Sequence, residues 1–343
     1  MNIGETMSKI VALCCSAMTA AHLLAATMTL DGISWSFTIS DGAATLGGGM
    51  FVSRAVSTST TGHLVIPEML GDYSVTSIRN GAFLGCRGLL SVTIPGSVTN
   101  IGYRAFCGCS GLTNFIVNSS NFYFKSERGL LLSKNGTSLV AVPGGLSNVI
   151  IPGSVTEIRE SAFEGCTRLS EVEIPEGVKS IGDFSFCECD GLTNVSLPNS
   201  VTNIGFCAFA RCNRLTSMVI PDSVSGIGER AFADCHGLAR IVMPNTVKRI
   251  KNSAFEGTGL KSVAIPDSVE YIGEKAFAAC NSLANVVIGR GVTNIGNSAF
   301  ADCNELLSFE VEAGNRCFKS ENGLLLSRDG KKRSYAITLE EGE

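Results

Sequence analysis

The feature that most constrains this chain is a pattern that returns every 23 residues. Pro152, Pro175, Pro198, Pro221 and Pro244 are spaced by 23, and so are Phe163, Phe186, Phe209, Phe232 and Phe255. A fixed period in this range is the signature of a solenoid. One unit alone leaves its apolar edge in water, and stacking like on like closes it. A globular chain of 343 residues would suggest about two or three domains. A solenoid grows by adding coils, so one elongated domain is expected here.

The unit has a physical logic. In one copy the apolar positions are Leu215, Met218, Ile220, Val224, Ile227, Ala231, Phe232 and Cys235. The spacing of two between Met218 and Ile220 predicts a strand with one buried face. Pro221 has no N–H for a ladder, so it marks the strand end and a corner. Asp222 and Ser223 are turn formers. Gly228 predicts a second corner with positive φ. Phe232 is the largest core filler, contributing roughly 2–3 kcal/mol when buried. With neighbouring strands about 4.8 Å apart, each residue type becomes a column.

In chain order, residues 10–26 form the apolar run IVALCCSAMTAAHLLAA after Lys9. It is too short, and too broken by His22, to read as a membrane span. It reads as a secretory signal peptide over residues 1–26, cleaved near Ala26, with Met7 as an alternative start. Leu24 stands where a small residue is wanted. A lipid anchor at Cys14 or Cys15 lacks the small residues such a site needs; a buried N-terminal helix is the other alternative. Residues 27–63, with ISWSFTIS and MFVSRAV, predict a β cap over the open end of the array. Trp35 is expected to pack there, with ligand stacking as the alternative. The array covers residues 64–312, interrupted at about 118–145 because Phe106 and Phe163 are 57 residues apart. Lys134-Asn135-Gly136 between apolar runs predicts a hairpin turn. A second copy, NRCFKSENGLLLSRDG, lies in 313–343 with Asp329-Gly330 at its turn, then Lys331-Lys332-Arg333 and an acidic tail. It either closes the solenoid or precedes more chain. Phe255 and Phe277 are only 22 apart, and Thr258 stands where the other coils have Cys.

Only 17% of residues are charged and the net charge is −4. That argues against nucleic acid, which needs a basic stripe, and against an anionic membrane surface. Cys86, Cys109, Cys166, Cys189, Cys212, Cys235, Cys280 and Cys303 each lie three residues after a coil Phe. Export would ordinarily suggest disulfides. A column of one residue type is instead a core feature, and free Cys is among the most buried side chains. Parallel Cβ vectors are also poorly aimed for a bridge. Buried thiols are therefore expected, ahead of disulfides. Cys107-x-Cys109 and Cys187-x-Cys189 have the wrong spacing for zinc. Asp234-Cys235-His236 resembles a triad only on paper, since adjacent side chains point apart. Glu171 and Glu173 read as a solvated strand face. Neither an enzyme nor a metal nor a cofactor is expected.

The residues Leu192, Val195, Leu197, Pro198, Val201, Ile204, Gly205, Ala208, Phe209 and Cys212 carry the repeat in one coil. The pattern resembles the BspA-like class of bacterial leucine-rich repeats over roughly residues 64 to 330. The module ending in GLLLS resembles interruptions in that family. The resemblance implies a curved right-handed solenoid with a parallel sheet on its concave face. It also implies an exported or surface protein, adhesin-like toward host proteins or other cells, with no catalytic residue to carry over.

The expected function is a secreted or cell-surface scaffold, acting as a monomer, that contacts an extracellular protein or glycan of host or neighbouring cells. No small-molecule substrate is expected. The rival is a passive spacer of the cell surface. Reading one outward strand position along the array gives Ser196, Val219, Val242, Ala264, Val287 and Glu310. Beside it run Asn194, Ser217, Arg240, Ser262 and Asn285. The candidate binding residues are Val219, Arg240, Val242, Ala264, Asn285 and Val287. The apolar stripe would be roughly 15 Å long, with Arg240 as an anchor. The alternative is that Val merely suits a parallel strand and the stripe is too narrow for an interface.

Overall fold

The computed structural model describes residues 24–48 and 54–328. It is a β-rich solenoid of about 11 turns stacked in parallel. Nine turns carry the core Phe, from Phe83 to Phe300. The other turns are those built on Phe115 and Phe309, each followed by a hairpin module in place of that Phe.

Most turns present two short parallel strands where the sequence marks only one; the turn through residues 192–198 forms no strand in the first ladder. The first ladder is the one ending in the Ile-Pro corner. Ser217–Val219 pairs with Arg240–Val242, and Ser262–Ile265, Asn285–Ile288 and Ser308–Val311 pair in succession. The corner forms as expected: the Val224 N–H closes a turn onto the Pro221 carbonyl at 3.0 Å. The second ladder falls on the Ile-Gly segment, where a corner alone was expected. Gly226–Ile227, Arg249–Ile250, Tyr271–Ile272 and Asn294–Ile295 pair in succession. Only one residue per turn points inward there, too few to show a period of two.

Gly228 does not have positive φ. A Cβ there would sit 2.4 Å from the Ile204 carbonyl oxygen and 2.5 Å from that of Gly205. The glycine therefore serves the close approach of successive turns. The left-handed residues lie beside the core Phe instead, at Arg230 (φ 53°) and Asp234 (φ 58°) in this turn. These two kinks fold the chain around the ring of Phe232.

The Phe rings stack face to face at 4.4–5.4 Å between centroids, for example Phe186 on Phe209 at 5.0 Å. The column of cysteines lies beside them and its chemistry is specific. The Cys189, Cys212 and Cys235 thiols donate to the carbonyls of Phe163, Phe186 and Phe209, one turn back, at 3.2, 3.1 and 3.0 Å. A small, apolar side chain with a weak donor suits that place. In the shortened turn the Thr258 hydroxyl bonds instead to the Phe255 carbonyl of its own turn, at 2.9 Å. All twelve cysteines from Cys86 to Cys317 are free, and ten are buried. Burial pushes the Cys107 thiol up to about 11 and the Cys109 and Cys187 thiols up to about 12, so the reactive thiolate is scarce at neutral pH. Iodoacetamide at pH 7.5 (roughly neutral) is therefore expected to leave most ladder cysteines unlabelled in the native chain. The exceptions are the half-buried Cys303, and Cys280, whose pKa is lowered by its hydrogen bond with Cys303. Unfolding without reductant should release them all. If mass spectrometry found them still blocked after unfolding, disulfides would replace this reading.

The Phe stack ends twice, and each time in the same way. Phe106 meets Phe115 edge-on at 4.8 Å, and Phe300 meets Phe309 edge-on at 5.1 Å. A hairpin follows each break. Phe124–Glu127 pairs with Leu130–Ser133, and Phe318–Glu321 with Leu324–Ser327. Their turns are Arg128-Gly129 and Asn322-Gly323, all with φ of 51–78°, as type I′ turns require. The turn expected at Lys134–Gly136 is also present, leading into Ser138–Ala141, so the first module is a three-stranded meander. Asp329-Gly330 lies outside the described residues, as does 1–23. Leu131 packs into the N-terminal core with Phe83, while Leu130 and Leu132 pack into the C-terminal core with Phe163. Strand alternation thus makes the meander a partition between two cores.

At the N-terminal end Leu24–Leu30, Ile33–Ser40 and Ala43–Leu46 form an antiparallel meander. It joins Tyr73–Ile78 in parallel and so extends the second ladder. A cut near Ala26 falls inside its first strand, where Ala26 pairs with Phe37. Trp35 is 1% exposed in the N-terminal core, which removes it as a ligand platform. Of MFVSRAV, the described part, 54–56, is irregular, with Ala55 and Val56 buried.

Candidate functional site

The candidate residues lie on the outward face of the first ladder. Pleating turns Met218 into the core and leaves Ser217 and Val219 pointing away from it. Val219 is 62% exposed and Val242, its partner in register, is 40% exposed. Arg240 is exposed beside Ser217 and makes no ion pair among the described residues. Ala264 and Val287 are likewise in register, the first exposed and the second half-buried. Asn285 is exposed and accepts a hydrogen bond from the Ser308 hydroxyl at 2.9 Å.

The structure therefore brings the six together on one face but in two sheets. Val219, Arg240 and Val242 belong to one, and Ala264, Asn285 and Val287 to the other. The seam falls at the turn that is one residue short. There the Lys261 N–H reaches the Ala239 carbonyl at 3.4 Å, a long bond. The apolar column also extends beyond the four residues read from the sequence. Val65, Ile116 and Ile150 occupy the same outward position in earlier turns and are exposed, with the half-buried Thr93 between the first two. The same alignment carried toward the N-terminus would have found them. Glu173 and Ser196, both exposed, separate the two apolar runs. The meander adds Phe122, 82% exposed, for which the sequence offered no periodic signal.

The paper triad disperses. Cys235 is buried on the Phe209 carbonyl, the His236 ring Nδ1 lies 2.9 Å from the Gly257 carbonyl oxygen on the surface, and Asp234 faces Arg211 at 3.7 Å. Glu171 and Glu173 are exposed on their strand. Among the described residues no three His, Cys, Asp or Glu side chains are placed to hold a metal ion.

A parallel solenoid with two ladders, a Phe column and a Cys column defines a leucine-rich repeat scaffold. The chain belongs to the BspA-type leucine-rich repeat family, whose repeat region is matched in 6 copies over residues 62–128, 143–258 and 206–324. Among solved structures, a leucine-rich repeat protein from Bacteroides ovatus ATCC 8483 is 28% identical, with 82% of this chain and 70% of that chain covered and a TM-score of 0.55. A leucine-rich repeat protein from Eubacterium ventriosum ATCC 27560 is 16% identical, with 85% and 96% covered and a TM-score of 0.52, a likeness of fold alone. No curated protein matches the chain significantly.

Proposed function

We propose that this chain is an exported scaffold of the bacterial surface that holds an extracellular protein or glycan on the outward face of its first ladder. The observation that carries the reading is the pair Val219 and Val242, exposed side by side on paired strands, with Arg240, which makes no ion pair among the described residues, on the same strand as Val242. Apolar side chains held on rigid strands lose little entropy on binding, and Arg beside them is a frequent anchor. Support for export comes from the apolar run 10–26 and from the family, whose members are typically exported or surface proteins. Adhesion is the use such a face fits. The test is binding to immobilised extracellular-matrix proteins and to co-resident bacterial cells. The triple variant Val219→Lys, Val242→Lys, Val287→Lys, with its circular dichroism unchanged, is expected to bind at least about tenfold more weakly. Unchanged affinity would overturn the assignment of this face.

A further inference from the structure

The second ladder is interrupted at the first module. Asn100–Ile101 pairs with Tyr73–Ile78, and Ser138–Ala141 pairs with Glu157–Ile158, but these two sets are not joined to each other. The gap holds a cavity of about 250 Å³. Asn100, Tyr103 and Arg104 stand on one side and Ser161 and Glu164 on the other.

Glu164 breaks a column. It follows the core Phe of its turn, a place held by the buried Cys187, Ala210 and Ala233 in the next turns. Its side chain is only 2% exposed. Oε1 takes the Arg104 Nε–H across the gap at 3.0 Å, while Oε2 has no hydrogen-bond partner. The Ser161 hydroxyl, also buried, completes no hydrogen bond either. Burial raises the Glu164 carboxyl above its usual range; the nearby Ser161 hydroxyl and Arg104 pull it down, and Glu188 and Glu160 add to the rise. Buried polar atoms are almost always paired; the Ser161 hydroxyl and Glu164 Oε2 lie close enough to act on each other but complete no bond, and a ligand hydroxyl in this cavity would satisfy both.

The lining selects the ligand's chemistry. Arg104 and Arg159 balance Glu160 and Glu164, so a cation would face two guanidinium groups and an anion two carboxylates. A neutral ligand bearing several hydroxyls avoids both conflicts. Its hydroxyls donate to Glu164 Oε2 and exchange hydrogen bonds with Ser161, and the Asn100 amide supplies a donor. The volume is below the roughly 300–1,000 Å³ of sites for drug-sized ligands, which limits the occupant to one ring. Tyr103, 47% exposed at the mouth, offers an aromatic face to the C–H face of such a ring. We infer that this cavity binds one neutral sugar residue, free or at the end of a glycan, through Glu164, Ser161 and Tyr103.

The experiment is saturation-transfer NMR on the full chain with the methyl glycosides of glucose, galactose, mannose and N-acetylglucosamine. Butylammonium and acetate serve as charged probes. At least one glycoside is expected to bind and neither charged probe to compete with it. Glu164→Gln keeps the shape and removes an acceptor, and should weaken binding about tenfold or more. Tyr103→Ala, on an exposed side chain, should weaken it too and carries the test if Glu164→Gln fails to fold. The triple lysine variant of the first ladder should bind the glycoside as the parent does, which separates this site from the proposed contact face. The inference falls if no glycoside binds, if a charged probe displaces the sugar, or if Tyr103→Ala leaves binding unchanged. A glycan ending in the preferred sugar that binds no better than its methyl glycoside would identify the free sugar as the ligand.

Discussion

Replacing Asn121 by alanine is expected to destabilise the chain by about 4 kcal/mol and to loosen the meander first. Asn121 is fully buried and uses its whole amide. Nδ2 donates to the Pro95 and Val98 carbonyls at 2.8 and 2.9 Å. Oδ1 accepts the Tyr123 and Phe124 N–H groups, both at 2.8 Å. The side chain thus ties the entry of the meander to the turn before it. Alanine leaves four backbone groups without partners, each worth roughly 1–3 kcal/mol if it stays dry; partial entry of water keeps the total below the sum. The second module repeats the arrangement, with Asn315 bonded to the Gly289 and Val292 carbonyls and to the Cys317 and Phe318 N–H groups. Guanidinium unfolding gives the stability change, and hydrogen exchange over residues 124–141 shows where the chain opens. Asn121→Asp sharpens the test. It keeps the acceptor but sets a carboxylate against two carbonyls, which raises its folded pKa above the unfolded value. Its penalty is therefore smallest below the unfolded aspartate pKa of about 3.9 and grows as pH rises through it. A loss under about 1 kcal/mol for Asn121→Ala would show that the bonds are dispensable.

What the sequence made plain is what the array repeats. The Pro corner, the Phe column and the Cys column recur in turn after turn, and one explanation serves all of them. The second ladder was hidden because Ile227 and its equivalents contribute a single inward residue between polar neighbours. The first hairpin of the meander was hidden at Arg128-Gly129, which is a weak turn signal, although the copy at Asn322-Gly323 stood in plain view. The cavity was hidden for a related reason. Glu164 shares its repeat position with Glu256 in a column otherwise apolar, but of the two only Glu164 is buried, and its meaning depends on Arg104 facing it across a gap in hydrogen bonding that no spacing reveals. The binding face was partly visible. The outward valines follow from alternation, but the seam between Val242 and Ala264 follows from the missing residue in the Thr258 turn, which shifts backbone partners without changing the side-chain pattern.

Gly228 gives the sharpest contrast between the two kinds of reasoning. If its role were positive φ, asparagine would serve nearly as well as glycine, since Asn visits that region more readily than other residues. The close approach predicts otherwise: Gly228→Ala and Gly228→Asn should both cost about 2–3 kcal/mol. A Cβ meets two backbone carbonyl oxygens at 2.4 and 2.5 Å, and neither can rotate away. The equivalent glycines are as tightly approached, though by other backbone atoms. A Cβ at Gly273 would lie 2.5 Å from the Asn252 nitrogen, and one at Gly296 would lie 2.4 Å from that of Glu274. Both donate to the preceding Ile carbonyl at 2.8 Å. The chain also shows what a side chain does at this place. Lys251 occupies it one turn after Gly228, and its N–H reaches the Ile227 carbonyl at 3.2 Å. The turn has withdrawn by a few tenths of an ångström at the expense of that bond. Gly228→Ala would force a second withdrawal against the neighbouring turn, so the two separations fall together in one stretch of the ladder. Thermal and guanidinium unfolding measure the loss. Asn tolerated where Ala is not would restore the positive-φ reading, and tolerance of both would mean that adjacent turns part freely.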